Sequence, residues 1–467
     1  MIKKLVFMFV LASAAALVFG TYYLSQVLSA GSGFSAKNIC SGYFLSGMSG
    51  QQIVDEALVT ASPFLSNISY EIDTENQLVD ARLFGLFERR AVFTDGTGCT
   101  LLRVGRDQLN RRLEVVEPRE LDPSVLWPRG SAPGPANTRL EPVLEQAFSE
   151  PDPQYARNTK AVVVVHEGQL IAEKYAPGID ARTPLPGWSM TKSVTNLLVG
   201  LLMNDGKLRL TQTAPVRLWQ EDFRDPRGDI TIDQLLRMSS GLEFNEEYGF
   251  HSDVTRMLAL EASASGFAAS KPLVAEPGST WSYSSGTSNI LAGVIRWTVG
   301  GYLQEYYEFT QERLFLPLGI HTATLETDNN GTFVGSSFMY ASARDWARLG
   351  QFCLQEGRWR GQELLPEGWI KYSTTPTPNN PLNNYGAHFW LNADPKDSKL
   401  KRTWPSLPPD TYSMNGYQGQ RVIIIPSKEL VVVRLGFSNG PDRGIEQLVS
   451  AVIDIVAPER KNQSGAE

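Results

Sequence analysis

Apolar positions fall into three patterns along the chain, and each predicts a different kind of element. The first is one unbroken block. Leu5 to Leu24 is mostly apolar, Met1-Ile2-Lys3-Lys4 precedes it, and the next charge is Lys37. About 20 such residues cross a hydrocarbon core as a helix, with the two lysines kept on the cytoplasmic side. A cleavable signal peptide is the competing reading, because Leu5 to Phe19 is close to signal length. Neither Val18-Phe19-Gly20 nor Leu28-Ser29-Ala30 offers a good small-x-small cleavage site, which favours an uncleaved anchor. The rest of the chain is expected on the periplasmic or extracytoplasmic side, and secreted if the segment is cut.

The second pattern is short apolar runs bounded by turn residues, the signature of strands. Ala161-Val162-Val163-Val164-Val165, a Glu167-Gly168-Gln169 turn and Leu170 to Tyr175 predict a hairpin. Val422-Ile423-Ile424-Ile425, a turn at Pro426-Ser427-Lys428-Glu429 and Leu430 to Leu435 predict another. Ala91-Val92-Phe93 and Cys99-Thr100-Leu101-Leu102 flank the turn Asp95-Gly96-Thr97-Gly98. The third pattern is helical spacing, seen from 51 to 60, 139 to 149, 189 to 204, 232 to 237, 290 to 299, 343 to 354 and 443 to 456. Strand pairs at the two ends of a region, with helices between, predict one antiparallel sheet assembled from distant parts of the chain, flanked by helices and joined to a mainly helical subdomain.

These patterns divide the chain into a signal-anchor at 1–36, a small accessory α+β region at 37–116, a proline-rich linker at 117–138, a main α/β (α+β) domain at 139–458 and a disordered polar tail at 459–467. The 467 residues carry a net charge of -7 with no block of lysine and arginine, so neither a nucleic-acid channel nor a polybasic membrane patch is indicated. Three cysteines suit export: Cys40 and Cys99 are expected to pair and Cys353 to stay free. There is no CxxC and no HExxH, and the four histidines are isolated, so no metal or cofactor is expected. The oligomeric state is left open.

Candidate chemistry begins at Gly187-Trp188-Ser189-Met190-Thr191-Lys192-Ser193, which opens an apolar helix ending near Asp205-Gly206. Residues i and i+3 share a helix face, so the Lys192 amine can reach the Ser189 hydroxyl. A serine at a helix start also meets partial positive charge and unbonded backbone N–H groups, where an oxyanion would be stabilised. A lysine whose charge is penalised by burial can act as a base near neutral pH. The spacing alone is weak: Ser398-Lys399-Leu400-Lys401 repeats it among Asp394, Pro395, Lys396 and Asp397, where solvent would keep a lysine charged.

Further motifs in order strengthen the first match. Glu276-Pro277-Gly278-Ser279-Thr280-Trp281-Ser282-Tyr283-Ser284-Ser285 resembles the second motif of class C β-lactamases, related esterases and 6-aminohexanoate-dimer hydrolases, within the serine β-lactamase and penicillin-binding-protein superfamily. Met238-Ser239-Ser240-Gly241-Leu242 and Ala341-Ser342-Ala343-Arg344-Asp345 are also similar, and the third motif would be Gly416-Tyr417-Gln418-Gly419-Gln420. The resemblance spans about 139–458. It implies a β-lactamase/transpeptidase-like fold and a serine hydrolase acting through an acyl-enzyme. Ser189 would be the nucleophile, Lys192 the base and Tyr283 the proton relay; the backbone N–H groups of Ser189 and Tyr417 would form the oxyanion hole, with Gln418 and Ser285 at the substrate.

The chain departs from that pattern at two points. Ser285 stands where many members carry asparagine, and the Lys-Thr-Gly triplet is absent, leaving Gln418 as a neutral donor where a lysine would attract a substrate carboxylate. A small ester or amide therefore fits better than a β-lactam or a peptide terminus. A β-lactamase or DD-peptidase remains an alternative, as does a catalytically silent, membrane-anchored binding protein of the penicillin-recognition fold. Gly436-Phe437-Ser438-Asn439-Gly440 imitates a nucleophile elbow, but no histidine follows His388.

Overall fold

A computed structural model describes residues 2–103, 109, 112–117, 120–152, 154–249, 252–440 and 444–458; the tail expected at 459–467 lies outside them. The expected antiparallel sheet has six strands, in the order Trp390–Leu391, Tyr412–Asn415, Arg421–Ile425, Leu430–Gly436, Thr159–His166, Gln169–Tyr175. The two apolar hairpins meet at its centre, where Val432 pairs with Val164 and with Ile423. An unbroken valine run suits this position because both faces are covered. Val162 and Val164 face a cluster with Leu144, Leu448, Val449 and Val452 on one side. Val163 and Val165 join the main core on the other.

The helix Ala343–Leu354 lies on that second face. Gly350 sets its approach, since a Cβ there would sit 2.6 Å from Val431 Cγ1 and 2.8 Å from Val422 Cγ1. Beyond it lies the helical subdomain, organised round Thr191–Asn204, whose residues Thr191 to Leu202 are all buried. Ser285–Thr298 packs against this central helix.

The accessory region is built on a single 43-residue helix, Ile2–Phe44. Its residues 7–24 are exposed throughout, while 28–33 are buried. The helix thus runs without a break through residue 36, the end expected for the anchor. A meander of four antiparallel strands, Ile68–Asp73, Leu78–Leu83, Leu86–Thr94 and Gly98–Leu101, packs on its second half. Cys40 and Cys99 are joined by a disulfide, with Cα atoms 6.0 Å apart, and Cys353 is buried and free.

Most described residues of the proline-rich segment are exposed, yet it is fastened to the main domain at Trp127, Gly130 and Ser131. Trp127 is buried in the main core, Arg348 Nη2 donates to the Gly130 carbonyl at 3.0 Å, and Arg344 Nη1 donates to the Ser131 carbonyl at 2.8 Å. Its backbone carbonyls satisfy two arginines of the helix Ala343–Leu354, which fastens it to the domain.

The accessory region is likewise locked to the main domain by polar contacts inside apolar surroundings. Lys37 and Glu326, both buried, form an ion pair, and the Lys37 amine lies 4.4 Å from the Phe338 ring centroid. Glu326 also accepts from Ser41 Oγ at 2.7 Å and from the Cys99 N–H at 2.7 Å. Removing one member of a buried pair leaves the other charge without its compensation, at a cost of about 3–5 kcal/mol. Lys37→Met is therefore expected to lower unfolding stability by about that amount in denaturant titration, with part of the loss recovered in Lys37→Met/Glu326→Gln. A single variant within about 0.5 kcal/mol of the parent would show that the pair does not fasten the two parts.

Candidate active site

Ser189 lies in the 3-10 turn Trp188–Met190, which leads directly into the helix Thr191–Asn204. Two glycines allow this turn to sit where it does. A Cβ on Gly187 would lie 2.2 Å from Trp346 Cζ2, and one on Gly416 would lie 2.1 Å from the Gly187 carbonyl oxygen. The turn is therefore pressed between the core and the strand-end segment that carries Tyr417. Trp188 holds a left-handed backbone, φ 48°, a conformation disfavoured for a bulky residue. Its ring is gripped on three sides: Phe34 stacks on it at 5.9 Å, while Tyr417 at 5.7 Å and Phe338 at 6.2 Å meet it edge-on. This aromatic clamp holds the strained turn in place.

Ser189 is partly exposed, whereas Lys192 beneath it is 1% exposed. The Lys192 amine reaches Ser189 Oγ at 3.1 Å, Ser285 Oγ at 2.9 Å and the Ser336 carbonyl at 3.1 Å. Burial lowers its pKa from 10.5 to about 8, and nearby Glu246 opposes that shift. The amine therefore loses its proton within reach of neutral pH, beside a hydroxyl.

Tyr283 completes the group. Its ring centroid lies 4.9 Å from the Lys192 amine, Ser189 is close enough to act on its phenol, and Tyr385 and Trp390 pack against its ring at 5.5 and 5.3 Å. Burial first, and then Glu246, push its pKa well above that of a free phenol. It stays protonated, able to relay a proton but poorly suited to remove one unaided.

Of the two residues expected at the substrate, neither side chain faces an open cleft. Ser285 is buried at the start of its helix, where its Oγ accepts from Lys192 and donates to Glu246 Oε1 at 2.5 Å. Gln418 is the clearer correction. Its backbone is left-handed, φ 56°, which turns the side chain into the accessory region, and its amide donates to the Ala57 carbonyl at 2.8 Å and Thr60 Oγ1 at 2.7 Å. Both N–H groups of that amide are thereby used. Ser438 is also spent elsewhere: it is 2% exposed and donates to the Arg157 carbonyl.

Several contributors were not anticipated. Glu246 accepts from both the backbone N–H of Ser285, at 2.6 Å, and its hydroxyl, and burial holds its carboxyl above the ordinary range. Asn289, a turn after Ser285, donates to Ser336 Oγ at 2.9 Å and so braces the carbonyl that receives the lysine. Tyr248 stacks on Tyr417 at 5.4 Å. His388 is near the nucleophile helix, but Nδ1 is 3.0 Å from the Lys192 carbonyl, Nε2 is 3.2 Å from Ser288 Oγ, and burial lowers its pKa to about 3. Only the pairing of Asn245-Glu246 with a nearby tyrosine marks that loop in the sequence; its register on Ser285 is a tertiary fact.

Comparison with known proteins sets this geometry in a lineage. Over 325 residues the chain is 24% identical to the 6-aminohexanoate-dimer hydrolase of Paenarthrobacter ureafaciens, covering 65% of this chain and 77% of that one. A candidate 6-aminohexanoate-dimer hydrolase from Bacillus anthracis has a similar structure, with TM-score 0.53, 24% identity, and coverage of 74% of this chain and 88% of that one. EstCE1, a hydrolase with promiscuous acyltransferase activity, gives TM-score 0.51 at 16% identity, over 68% of this chain and 97% of its own. The sequence profile of the family described as Beta-lactamase matches residues 144–451, more than half the chain, and its match encloses the serine, the lysine and the tyrosine; the chain belongs to the β-lactamase family.

Proposed function

We propose that the chain is a serine hydrolase that cleaves an ester or amide through an acyl-enzyme on Ser189. The observation that carries this reading is the buried amine of Lys192, 3.1 Å from Ser189 Oγ, with its pKa lowered to about 8. A neutral amine takes the serine proton as Oγ bonds to the carbonyl carbon. The negative charge that forms on the carbonyl oxygen is met by the backbone N–H groups of Ser189 and Tyr417. As the tetrahedral adduct collapses, Tyr283 gives its proton to the leaving group and recovers one from Lys192. Water then enters along the same route in reverse and frees the acid.

Substrate class follows from charge. Glu246 lies beside Lys192 and Gln418 is turned away, while Arg421, whose charge acts on Tyr283, donates to the carbonyls of Gly416 and Gln420 in place of the lysine that would hold a substrate carboxylate. A neutral acyl group is favoured over a β-lactam. The similar protein named as a 6-aminohexanoate-dimer hydrolase is in keeping with hydrolytic chemistry here. We further infer that the exposed apolar part of the first helix anchors the enzyme in a membrane, with its catalytic domain outside the cytoplasm.

A fluorophosphonate should label Ser189, seen by peptide mass spectrometry, and Ser189→Ala should lose both label and turnover. Lys192→Arg should reduce ester hydrolysis about 10²–10⁴-fold, since arginine keeps its proton. A parent-like Arg variant, or an adduct confined to another serine, would contradict the assignment, and absence of any adduct would favour a silent binding protein.

Activity should rise with pH through about 8 as Lys192 loses its proton. Because Glu246 raises the Lys192 pKa, Glu246→Gln should move this rising limb of the kcat/KM profile to lower pH. A limb that stays in place or moves upward would show that the carboxylate does not act on the base.

A further inference from the structure

The accessory region carries an apolar surface that the hydrolase chemistry does not use. Phe64, Phe84, Leu86 and Phe87 are 45–60% exposed. They come from two turns that meet the first helix at one level. The Leu83 N–H donates to Ser32 Oγ at 2.9 Å, Ser32 Oγ donates to the Leu86 carbonyl at 3.4 Å, and the Phe84 N–H donates to the Asn67 carbonyl at 3.1 Å. A Cβ on Gly31 would lie 2.6 Å from Leu83 Cδ2 and 3.6 Å from Leu65 Cδ2.

That level is close to the end of the exposed apolar part of the helix. Ser32 is eight residues beyond Leu24, about 12 Å along a helix. Tyr22 and Tyr23, both exposed, mark the boundary with the aromatic residues typical of a membrane interface. The hairpin also points the right way: Phe93, near its base, stacks on Phe44 at the far end of the helix, whereas its tip at 84–87 meets Ser32. Charge is excluded from the whole surface. Residues 5–36, 57–70 and 83–87 contain no Asp, Glu, Lys or Arg, and Arg82 and Glu88 at the base of the tip pair with each other.

The tip is also conformationally expensive. Phe84 and Gly85 have φ of 54° and 71°, and Phe87 has φ 50°. A tight turn with positive φ at both central positions normally takes Asn-Gly or Asp-Gly, and a phenylalanine there gains nothing from facing water.

We propose that Phe64, Phe84, Leu86 and Phe87 form a collar that enters the headgroup and upper acyl layer of the bilayer crossed by the first helix. This rests on the anchor reading given above. Helix and collar together form two attachments, which fix the tilt of the catalytic domain. Phe34, which stacks on Trp188 beside the nucleophile, follows Ser32 by two residues, so the catalytic turn is held close to the lipid surface.

The test uses the full chain reconstituted in phosphatidylcholine vesicles containing doxyl-labelled lipid. Single thiols are introduced as Phe87→Cys, Phe64→Cys, Leu17→Cys and Phe223→Cys and labelled with an environment-sensitive dye after folding; the native free thiol, Cys353, is buried. Leu17 is within the apolar helix, and Phe223 is 95% exposed among Glu221, Asp222, Arg224 and Asp225. The collar predicts a blue shift and lipid quenching at 87 and 64 as well as at 17, with 223 unquenched. Labels at 87 and 64 that behave like 223 while 17 is quenched would overturn the collar and leave the anchor standing. An unquenched label at 17 would overturn the anchor and the collar with it.

Discussion

A lysine amine can be buried cheaply only if it sheds its charge or finds a partner for it, and the interior round Lys192 is arranged between these two outcomes. Neutral oxygens of Ser189, Ser285 and Ser336 take its hydrogen bonds, while one carboxylate, Glu246, is held a residue's width away and reaches it through Ser285. Direct ion pairing would have fixed the charge. Complete apolar burial would have left a base too weak to take a serine proton. The intermediate arrangement, with a pKa lowered to about 8, places the amine where both protonation states are accessible.

The rest of the molecule keeps that amine next to the hydroxyl. Both belong to one helix start, so their separation is set by backbone geometry. The turn that presents Ser189 is strained at Trp188, and the residues that grip the tryptophan come from three places: Phe338 from the segment leading into the short strand Met339–Ala341, Tyr417 from the turn between the strands Tyr412–Asn415 and Arg421–Ile425, and Phe34 from the accessory helix. Gln418, next to Tyr417, is in turn tied to Ala57 and Thr60. The matched family region, 144–451, therefore depends on side chains outside it, and the accessory part is a wall of the turn that carries Ser189 rather than a tether alone.

Much of the fold could be read directly, for physical reasons that differ by segment. Ala161 to Val165 and the 422–435 hairpin announce themselves because a strand buried on both faces must be apolar at every position. The serine and lysine were legible because helix periodicity fixes i and i+3 on one face. The second half of the first helix was harder, since its Ser- and Gly-rich sequence resembles a linker. Its small residues instead permit close packing: a Cβ on Gly33 would lie 2.8 Å from the Ala259 carbonyl, and one on Gly42 would lie 2.7 Å from Ile53 Cδ1. Gln418 was misplaced because a left-handed backbone, invisible in sequence, reverses its side chain. Glu246 escaped notice because a loop acid reveals its role only through the residue it meets.

The central claim is that Lys192 exchanges its proton near neutrality while bonded to Ser189. It is tested most directly by following the side-chain nitrogen of Lys192 in protein carrying ¹⁵N-labelled lysine, with Lys192→Met identifying the signal, across a pH titration. The account predicts a midpoint near the value of about 8 to which burial lowers it. A signal that remains that of an ammonium group up to the ordinary lysine value of 10.5 would contradict it.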